Sequence, residues 1–348
     1  MSYLIYAANG YTGALIARSA AARGQRPILA GRNAAEVEGL ARELGLEPRV
    51  FGLEAPRVVD EALAGTTVVL HCAGPFSRTS RPMADACLRT RVHYLDITGE
   101  AVVFEALAGR DAEAKAATVM LLPGAGFDVV PSDCLAAHLK RRLPSATHLA
   151  LGFQPGGRLS RGTATTMIEN LHRGGLVRRD GVLTPVPPAW KTRVIDFGRG
   201  PRTAITIPWG DVATAYHSTG IPNVEVYMAA PAGLRLAVRM SRYFAPVLAS
   251  KPVQRFLKTR IRAGAPGPTE AERARGKSLL WGEAADGAGG RAVSRMRTPE
   301  GYTLTVLAAL AIVDKVLGGS APRGFQTPSR AYGPDFVLGI EGVSREDE

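Results

Sequence analysis

The chain has 348 residues, of which 46% are hydrophobic and 21% charged, and its formal net charge is +12. This composition excludes a disordered or fibrous chain, and the length favours two or three domains. Three cysteines without C-x-x-C spacing and six histidines without metal-ligand spacing indicate no disulfide framework, and no metal is predicted.

In the first 125 residues, short apolar runs alternate with helical patterns, which is typical of βαβ units and a parallel sheet. The pattern predicts strands at Tyr3–Ala7, Pro27–Ala30, Arg49–Gly52, Val68–Cys72, His93–Asp96 and Val119–Leu122. It predicts helices at Gly13–Arg23, Ala34–Leu44, Arg57–Leu63, Arg81–Arg91 and Phe104–Ala117. Six strands with five crossovers form a doubly wound parallel sheet, so residues 1–130 are predicted to be a Rossmann domain of the α/β class.

Beyond Pro131 the pattern becomes mixed. It predicts helices at Ser132–Arg142, Thr163–His172 and Thr303–Leu317, and strands at His148–Phe153, Thr203–Ile207, Val224–Met228, Ser278–Ala285 and Arg291–Thr298. The last two strands flank a glycine-rich stretch, which predicts a hairpin or a looser return. Residues 131–318 are therefore predicted to form a second, α+β domain for substrate binding or oligomerisation. Residues 319–348 are predicted to pack back on the first domain.

A run of small residues, Ala7-Ala-Asn-Gly10-Tyr-Thr-Gly13, follows the first strand directly and has the spacing G-x-x-G-x-x-G with alanine in the first position. Small residues let the backbone approach a pyrophosphate, whose charge is met by N–H groups at the helix N-terminus. We therefore predict dinucleotide binding by Ala7, Gly10, Tyr11, Thr12 and Gly13. The alternative is a purely structural turn.

Cofactor choice is predicted from the end of the second strand, where Arg32 and Asn33 follow Ala30-Gly31. An NAD site usually carries an acid about 20 residues beyond the glycines, whereas an arginine accommodates the 2′-phosphate of NADP. The first acid here is Glu36, already inside the next predicted helix. Arg32 is thus predicted to favour NADP(H) through charge-assisted hydrogen bonds, with an exposed loop arginine as the alternative.

Two further loops follow strand C-termini, where a doubly wound sheet presents its ligands. The loop after the fourth strand is predicted to line the path of the cofactor with Ala73, Gly74, Pro75 and Phe76. Cys72, which precedes them, is interpreted as a small buried residue rather than a nucleophile.

The exit of the fifth strand carries the polar residues Asp96, Thr98 and Glu100. Their position suits contact with a substrate or a nicotinamide, and we predict a catalytic role for them. Helix capping and turn formation explain the same residue types equally well, and both interpretations stay open.

The order of motifs along the chain resembles that of the saccharopine dehydrogenase-like oxidoreductases. The shared motifs are A-N-G-Y-T-G, A-G-R-N, C-A-G-P-F, Y-L-D-I-T-G-E, P-G-A-G-F-D-V-V-P-S-D, S-R-G-T at Ser160–Thr163 and P-W-G-D at Pro208–Asp211. The resemblance implies a Rossmann domain, a C-terminal α+β domain and a nicotinamide cofactor in the cleft between them. Family members include amino-acid imine reductases and the trans-acting enoyl reductases of lipid and polyketide assembly. The second domain lacks a recognisable arginine set for an amino dicarboxylate, which argues against saccharopine itself.

These observations predict an NADP(H)-dependent oxidoreductase that transfers a hydride to a C=C or C=N bond of a small-molecule or carrier-bound substrate. The alternative is an NADP-binding sensor or regulator without catalysis. No leader segment precedes the first strand and no apolar run is long enough to span a membrane, so a cytoplasmic protein is expected.

The positive charge is concentrated in a basic segment, residues 235–262. No Asp or Glu lies between Val226 and Thr269, while this stretch carries Arg235, Arg239, Arg242, Lys251, Arg255, Lys258, Arg260 and Arg262. A solvated face, an anionic membrane surface, an acidic carrier protein and a homodimer contact are the interpretations left open. Nucleic acid is not predicted, because no helix-turn-helix, zinc or RNA-binding motif accompanies the charge.

Overall fold

The computed structural model describes residues 2–170 and 174–348, which form two compact units. The first unit comprises Met1–Val130 and Leu304–Tyr332, and the second comprises Pro131–Thr303 and Gly333–Glu348. No described helix is both long and apolar enough to cross a membrane.

The described residues form sixteen strands and fifteen α-helices. The strands are Tyr3–Tyr6 (β1), Ile28–Gly31 (β2), Pro48–Val50 (β3), Val68–His71 (β4), His93–Asp96 (β5), Met120–Leu122 (β6), His148–Gln154 (β7), Gly175–Arg179 (β8), Val182–Val186 (β9), Thr192–Asp196 (β10), Pro201–Thr206 (β11), Asn223–Ala229 (β12), Lys277–Ala285 (β13), Arg291–Pro299 (β14), Gly324–Phe325 (β15) and Ser344–Asp347 (β16). The helices are Tyr11–Ala22 (α1), Ala34–Leu44 (α2), Pro56–Leu63 (α3), Phe76–Thr90 (α4), Ala101–Ala108 (α5), Asp111–Ala117 (α6), Val130–Arg142 (α7), Arg161–Asn170 (α8), Asp211–Thr219 (α9), Ala232–Met240 (α10), Ala245–Ala249 (α11), Lys251–Ala263 (α12), Glu270–Arg275 (α13), Gly301–Leu317 (α14) and Pro328–Tyr332 (α15).

The first unit is built on a parallel sheet, whose described strands lie in the order β15-β6-β5-β4-β1-β2-β3. Strands β1, β2 and β4 are buried along their whole length, as expected for parallel strands covered by helices on both faces. The strand order reverses between β1 and β4, and such a switch point is where open α/β sheets bind ligands. The predicted Rossmann-type α/β fold is confirmed.

Three elements of this unit differ from the predictions. The sheet has a seventh strand, β15, which at two residues is too short to show any periodicity. Helix α4 begins at Phe76 rather than at Arg81, because the Glu100 carboxylate accepts hydrogen bonds from the first backbone N–H groups of the helix. The single helix predicted over Phe104–Ala117 is two helices, α5 and α6, which are interrupted around Gly109.

The second unit is built on a mixed sheet, with β10-β11-β12-β7-β13-β14-β16 in order and β8 and β9 attached through β12. Strands β7 and β12 are parallel, and the other described pairs are antiparallel. Strands β13 and β14 form the predicted hairpin. The predicted helix Thr163–His172 is observed as α8, and His172 lies outside the described residues.

The C-terminal part is divided differently from the predicted ranges 131–318 and 319–348. Helix α14 from Leu304 onwards groups with the first unit, where Thr305 Oγ1 accepts a hydrogen bond from Phe127 N and Asp314 accepts one from Gln25. An almost wholly apolar helix must be buried on most sides. The sequence pattern of α14 therefore predicts its burial, but it does not identify the unit against which the helix packs. Only residues 319–332 of the predicted tail group with the first unit, since Ser344–Asp347 (β16) pairs with β14.

Candidate cofactor-binding site

The loop between β1 and α1 makes a tight turn at the switch point of the first sheet. Ala7 adopts a left-handed conformation with φ of 59°, and its carbonyl oxygen accepts a hydrogen bond of 3.0 Å from Gly10 N. Gly10 is the N-cap of α1 and has no side chain with which to cap it. The hydrogen-bond ladder of an α-helix begins one turn in, so its first backbone N–H groups are suited to an anion. This loop therefore places the N-terminus of α1 at the switch point.

Glycine is sterically required where α1 meets the end of β1. A Cβ atom on Gly13 would lie 2.9 Å from Ala8 Cα and closer still to the Ala7 carbonyl oxygen. A Cβ atom on Gly10 would lie 3.2 Å from the same oxygen. The contacts at Gly13 are all with backbone atoms, which cannot rotate away. The sequence thus specifies a close approach of backbone to backbone, as in dinucleotide-binding loops.

The end of β2 places one cation and one acid near this loop. Arg32 is exposed and forms no ion pair with any described residue. Asn33 caps α2, because its side chain accepts a hydrogen bond from Glu36 N at 3.4 Å. The Glu36 carboxylate accepts a hydrogen bond of 2.6 Å from the side chain of Asn9, which belongs to the glycine-containing loop. The sequence interpretation missed this contact, which places Glu36 at the edge of the candidate site.

The loop after β4 borders the same switch point. Its first residue, Cys72, donates a backbone hydrogen bond of 2.9 Å to the Tyr6 carbonyl at the end of β1, and the Gly74–Pro75 peptide bond is cis. Ala73 and Phe76 pack against the buried core of the sheet, and the Phe76 ring meets the His71 ring edge-on. Burial raises the pKa of the Cys72 thiol, which suits a small packed residue better than a nucleophile.

Asp96, at the end of β5, is fully buried and hydrogen-bonded through both oxygens. Its Oδ2 accepts from the Tyr94 hydroxyl at 2.6 Å, and its Oδ1 accepts from Thr98 N and Gly124 N, both at 2.9 Å. Burial raises the pKa of this carboxyl group to about 6, although the three hydrogen bonds act in the opposite direction. Asp96 therefore joins the end of β5 to the loop that follows β6.

Thr98 and Glu100 make similar contacts with backbone groups. The buried Thr98 hydroxyl accepts a hydrogen bond from Glu100 N at 3.1 Å. The Glu100 carboxylate accepts from Phe76 N at 2.7 Å and from Ser77 N at 3.2 Å, which caps the N-terminus of α4. These contacts favour the capping interpretation that the sequence left open. The catalytic role of Asp96, Thr98 and Glu100 stays a prediction.

Asp128 is an acid at the same sheet edge that the sequence interpretation did not single out. It is half-buried in the loop after β6, and a Cβ atom on Gly99 would lie 2.9 Å from its Oδ2. Burial raises the pKa of Asp128 to about 7. A carboxyl group that exchanges its proton near neutral pH is suited to general acid–base chemistry. The signal was present in the sequence, because an acid follows the sixth strand just as others follow the fifth.

The described residues contain no group of three or more His, Cys, Asp or Glu side chains positioned to hold a metal ion. The same sheet edge carries the tight turn after β1 and the carboxyl groups that follow β5 and β6. Both parts belong to the first unit.

Residues 4–122, from β1 to the end of β6, match the family described as Saccharopine dehydrogenase NADP binding domain. The chain is 33% identical over 150 residues to a trans-acting enoyl reductase of Mycobacterium leprae. The aligned region covers 40% of this chain and 35% of that protein. It is 26% identical over 218 residues to a human saccharopine dehydrogenase-like oxidoreductase, which covers 56% and 46% of the two chains. The matched regions thus span less than half the length of these curated relatives.

Two solved structures resemble the whole chain in fold. Saccharopine dehydrogenase (L-Glu forming) from Saccharomyces cerevisiae has a TM-score of 0.67 at 10% identity, covering 100% of this chain and 99% of that chain. Homospermidine synthase from Legionella pneumophila, in complex with NAD, also has a TM-score of 0.67 at 10% identity, covering 100% and 91%. At this identity the similarity shows the fold alone. Residues 4–122 thus match a saccharopine dehydrogenase NADP-binding domain, and the resemblance to the saccharopine dehydrogenase-like oxidoreductases that the motifs indicated is confirmed.

Proposed function

We propose that the chain is an NADP(H)-dependent oxidoreductase that transfers a hydride to a C=C or C=N bond of a small-molecule or carrier-bound substrate. The observation that carries the proposal is the backbone cradle formed by Ala7–Gly13 at the point where the strand order reverses. The names of the mycobacterial relatives support an enoyl substrate, and the family match supports NADP.

The residues at the cradle fit a dinucleotide. Gly13 leaves no room for a side chain between helix and strand, so α1 packs closely on β1, and its N-terminus at the switch point would meet a pyrophosphate. Ala73–Phe76 border the same switch point and would line the cofactor. Arg32 would hold a 2′-phosphate, with Asn33 ordering the turn beside it through its helix cap. The bound cofactor supplies the hydride, and the protein supplies orientation and electrostatics.

Proton delivery is assigned to Asp128. Hydride addition leaves a negative centre that must be protonated, and a positioned acid contributes typically about 10²–10⁴-fold to the rate. Asp128 is half-buried and holds its proton up to about pH 7. Asp96 is fully buried, and the Glu100 carboxylate caps α4. The raised pKa of Asp128 is therefore better matched to proton donation at neutral pH.

Cofactor choice is tested by measuring NADPH and NADH affinity in two variants of neighbouring residues. Arg32→Ala should weaken NADPH binding by about ten- to a hundredfold and leave NADH nearly unchanged, since a hydrogen bond to a charged group is worth roughly 1.5–3 kcal/mol. Glu36→Gln is the control, because it keeps the contact with Asn9 and removes a negative charge beside the site. An equal loss of both cofactors in Arg32→Ala contradicts the assignment, as does a loss of NADH alone in Glu36→Gln.

The reaction is tested by following NADPH oxidation with carrier-bound enoyl thioesters and with cyclic imines. Turnover should fall as pH rises through about 7, because a general acid must be protonated to act. Asp128→Asn should lower turnover at least about tenfold and leave NADPH affinity within about threefold. Full turnover in this variant contradicts the assignment of Asp128.

The second candidate is an NADP-binding sensor without catalysis. It is favoured by one observation, namely that the three predicted catalytic residues are all used in hydrogen bonds with backbone groups. A sensor binds NADPH and shows the Arg32 effect, but it oxidises NADPH with none of the substrates. Binding and oxidation measured on the same preparation therefore separate the two functions.

A further inference from the structure

The basic segment, residues 235–262, forms helices on the surface of the second unit. They are α10, α11 and α12, and no residue of α10 or α11 is buried. The segment is nevertheless attached to the unit: Val238 packs against a small buried cluster, Gln254 donates a hydrogen bond of 3.0 Å to the Ile168 carbonyl, and Lys258 pairs with Glu169. One side of the segment is thus fixed and the other faces outward.

Large apolar side chains are concentrated on the outward side. Of fifteen exposed large apolar residues in the described part of the chain, seven fall within this segment and the residue before it: Leu234, Leu236, Met240, Tyr243, Phe244, Val247 and Phe256. The exposed fractions of Leu236 and Phe256 are 62% and 64%. Single exposed apolar residues are normal on a protein surface, but a group of this kind marks an interaction site.

The cations of the segment are largely uncompensated. Five of them are exposed and form no ion pair with a described residue, namely Arg239, Arg242, Lys251, Arg255 and Arg260. The sequence offers no acid between Val226 and Thr269 that could neutralise them. A second copy placed on a two-fold axis through this surface would bring cations against cations, which is repulsive. An anionic occupant therefore fits this surface better than a second copy of the chain.

The distribution of the two residue types decides between an anionic protein and a lipid surface. Protein interfaces collect apolar residues in a core that is depleted of charge and place polar residues at the rim. Here cations and apolar residues interleave along the whole segment, as in Arg239-Met240, Arg242-Tyr243-Phe244 and Arg255-Phe256. Helices that lie in a membrane interface have this composition, with arginine at the head groups and aromatic residues at the boundary with the acyl chains.

We propose that residues 235–262 bind the surface of an anionic lipid bilayer, with α10–α12 lying in the plane of the interface. The apolar side chains insert to the depth of the acyl boundary, and the arginines meet lipid phosphates. A cleft of about 390 Å³ beside α12 is lined by Lys251, Gln254, Arg255, Lys258 and Thr259. Lys258 is paired with Glu169, whereas Lys251 and Arg255 form no ion pair with a described residue and would meet a phosphate there. The proposal is independent of the reaction that the first unit supports.

The test is co-sedimentation of the full chain with vesicles of phosphatidylcholine alone and of phosphatidylcholine with phosphatidylglycerol. Binding is expected only to the anionic vesicles, and it should weaken as salt rises past physiological strength, where the Debye length is about 8 Å. The variant Arg242→Gln/Arg255→Gln/Arg260→Gln should bind about a hundredfold more weakly, since each cation near an anionic membrane contributes roughly fivefold. The control Arg23→Gln/Arg57→Gln/Arg297→Gln removes the same charge from exposed sites elsewhere and should bind like the parent chain.

Insertion is read separately with a fluorescent reporter. The Phe256→Trp variant should shift its emission to the blue on anionic vesicles and be quenched by brominated acyl chains, whereas Phe244→Ser/Phe256→Ser should lose binding without any change in charge. Absence of binding to anionic vesicles overturns the proposal, and so does an equal loss in the control triple variant. Salt-sensitive binding to an acidic carrier protein without binding to vesicles overturns it in favour of a protein partner.

Discussion

Two loops at the same edge of the first sheet use their residues in opposite ways. The loop after β1 is suited to binding through its backbone, because Gly10 and Gly13 remove side chains where helix and strand approach each other. The loop after β5 is rich in polar side chains, and Asp96, Thr98 and Glu100 all accept hydrogen bonds from backbone N–H groups. The loop that lacks functional groups is thus the better ligand site, and the loop that carries them is the better scaffold.

The physical reason is the cost of burying a polar group. A buried carboxylate must be paired, so an acid at the exit of an inner strand is used first by the nearest backbone N–H groups. Burial raises the pKa of Asp128, in the loop after β6, to about 7. The comparison predicts that substitutions in the loop after β1 affect ligand binding, while those in the loop after β5 affect stability.

The largest effect is expected from Gly13→Ala. The added methyl group would overlap backbone atoms of Ala7 and Ala8, so α1 must move away from β1. We expect a loss of about 3 kcal/mol or more in the free energy of unfolding, at the upper end of the cost of overpacking. NADPH affinity should fall at least about a hundredfold, because the N–H groups of the first turn move with the helix.

Gly39→Ala is the control for this substitution. Gly39 lies in α2, and a Cβ atom there would meet nothing within 4 Å. Alanine should stabilise the chain by up to about 1 kcal/mol through its helix propensity and leave NADPH affinity unchanged. Urea unfolding and cofactor titration measure both quantities. A tolerated Gly13→Ala would show that the close approach is not required.

A smaller effect, which depends on pH, is expected at Asp96. Its folded-state pKa of about 6 lies above its ordinary value near 3.9, so the folded state binds the proton more tightly than the unfolded state. The resulting stability is present below about pH 4 and is lost as pH rises through about 6. The shift of about two units corresponds to roughly 2 to 3 kcal/mol.

Asp96→Asn isolates this contribution. The asparagine oxygen can accept the two hydrogen bonds from Thr98 N and Gly124 N, and its amide can donate to the Tyr94 hydroxyl once that group rotates. The stability of the parent chain relative to this variant should therefore fall between about pH 4 and pH 7, as measured by unfolding across that range. Asp128 is present in both chains, so its contribution to the pH dependence of stability cancels in the difference. A stability difference that does not change with pH contradicts the raised pKa of the buried carboxyl group. A tenfold loss of turnover in Asp96→Asn would show that Asp96 acts in catalysis.

The features that could be predicted from the sequence are those set by interactions between residues close together in the chain. The doubly wound sheet and the glycine-containing loop after β1 depend on local periodicity and on residue size, and both are predictable from β1, α1 and their neighbours. Side-chain roles depend on contacts between distant segments, such as the hydrogen bonds that join Glu100 to Phe76 and Asn9 to Glu36. The two-residue strand β15 and the grouping of α14 with the first unit are likewise set by packing that no local pattern records.

The smallest effect is expected at Glu100, where the two interpretations differ most sharply. Glu100→Gln keeps an oxygen that can accept from Phe76 N or Ser77 N but removes the charge at the N-terminus of α4, which should cost about 1 kcal/mol of stability. Hydrogen exchange at these two amides should become faster, while turnover and NADPH affinity stay within about twofold. Glu38→Gln, at an exposed position of α2, is the control. It removes the same charge and should change neither the stability nor the hydrogen exchange of the Phe76 and Ser77 amides. If turnover instead falls about tenfold at unchanged stability, Glu100 acts on the substrate, and the loop after β5 is a catalytic loop as the sequence first indicated.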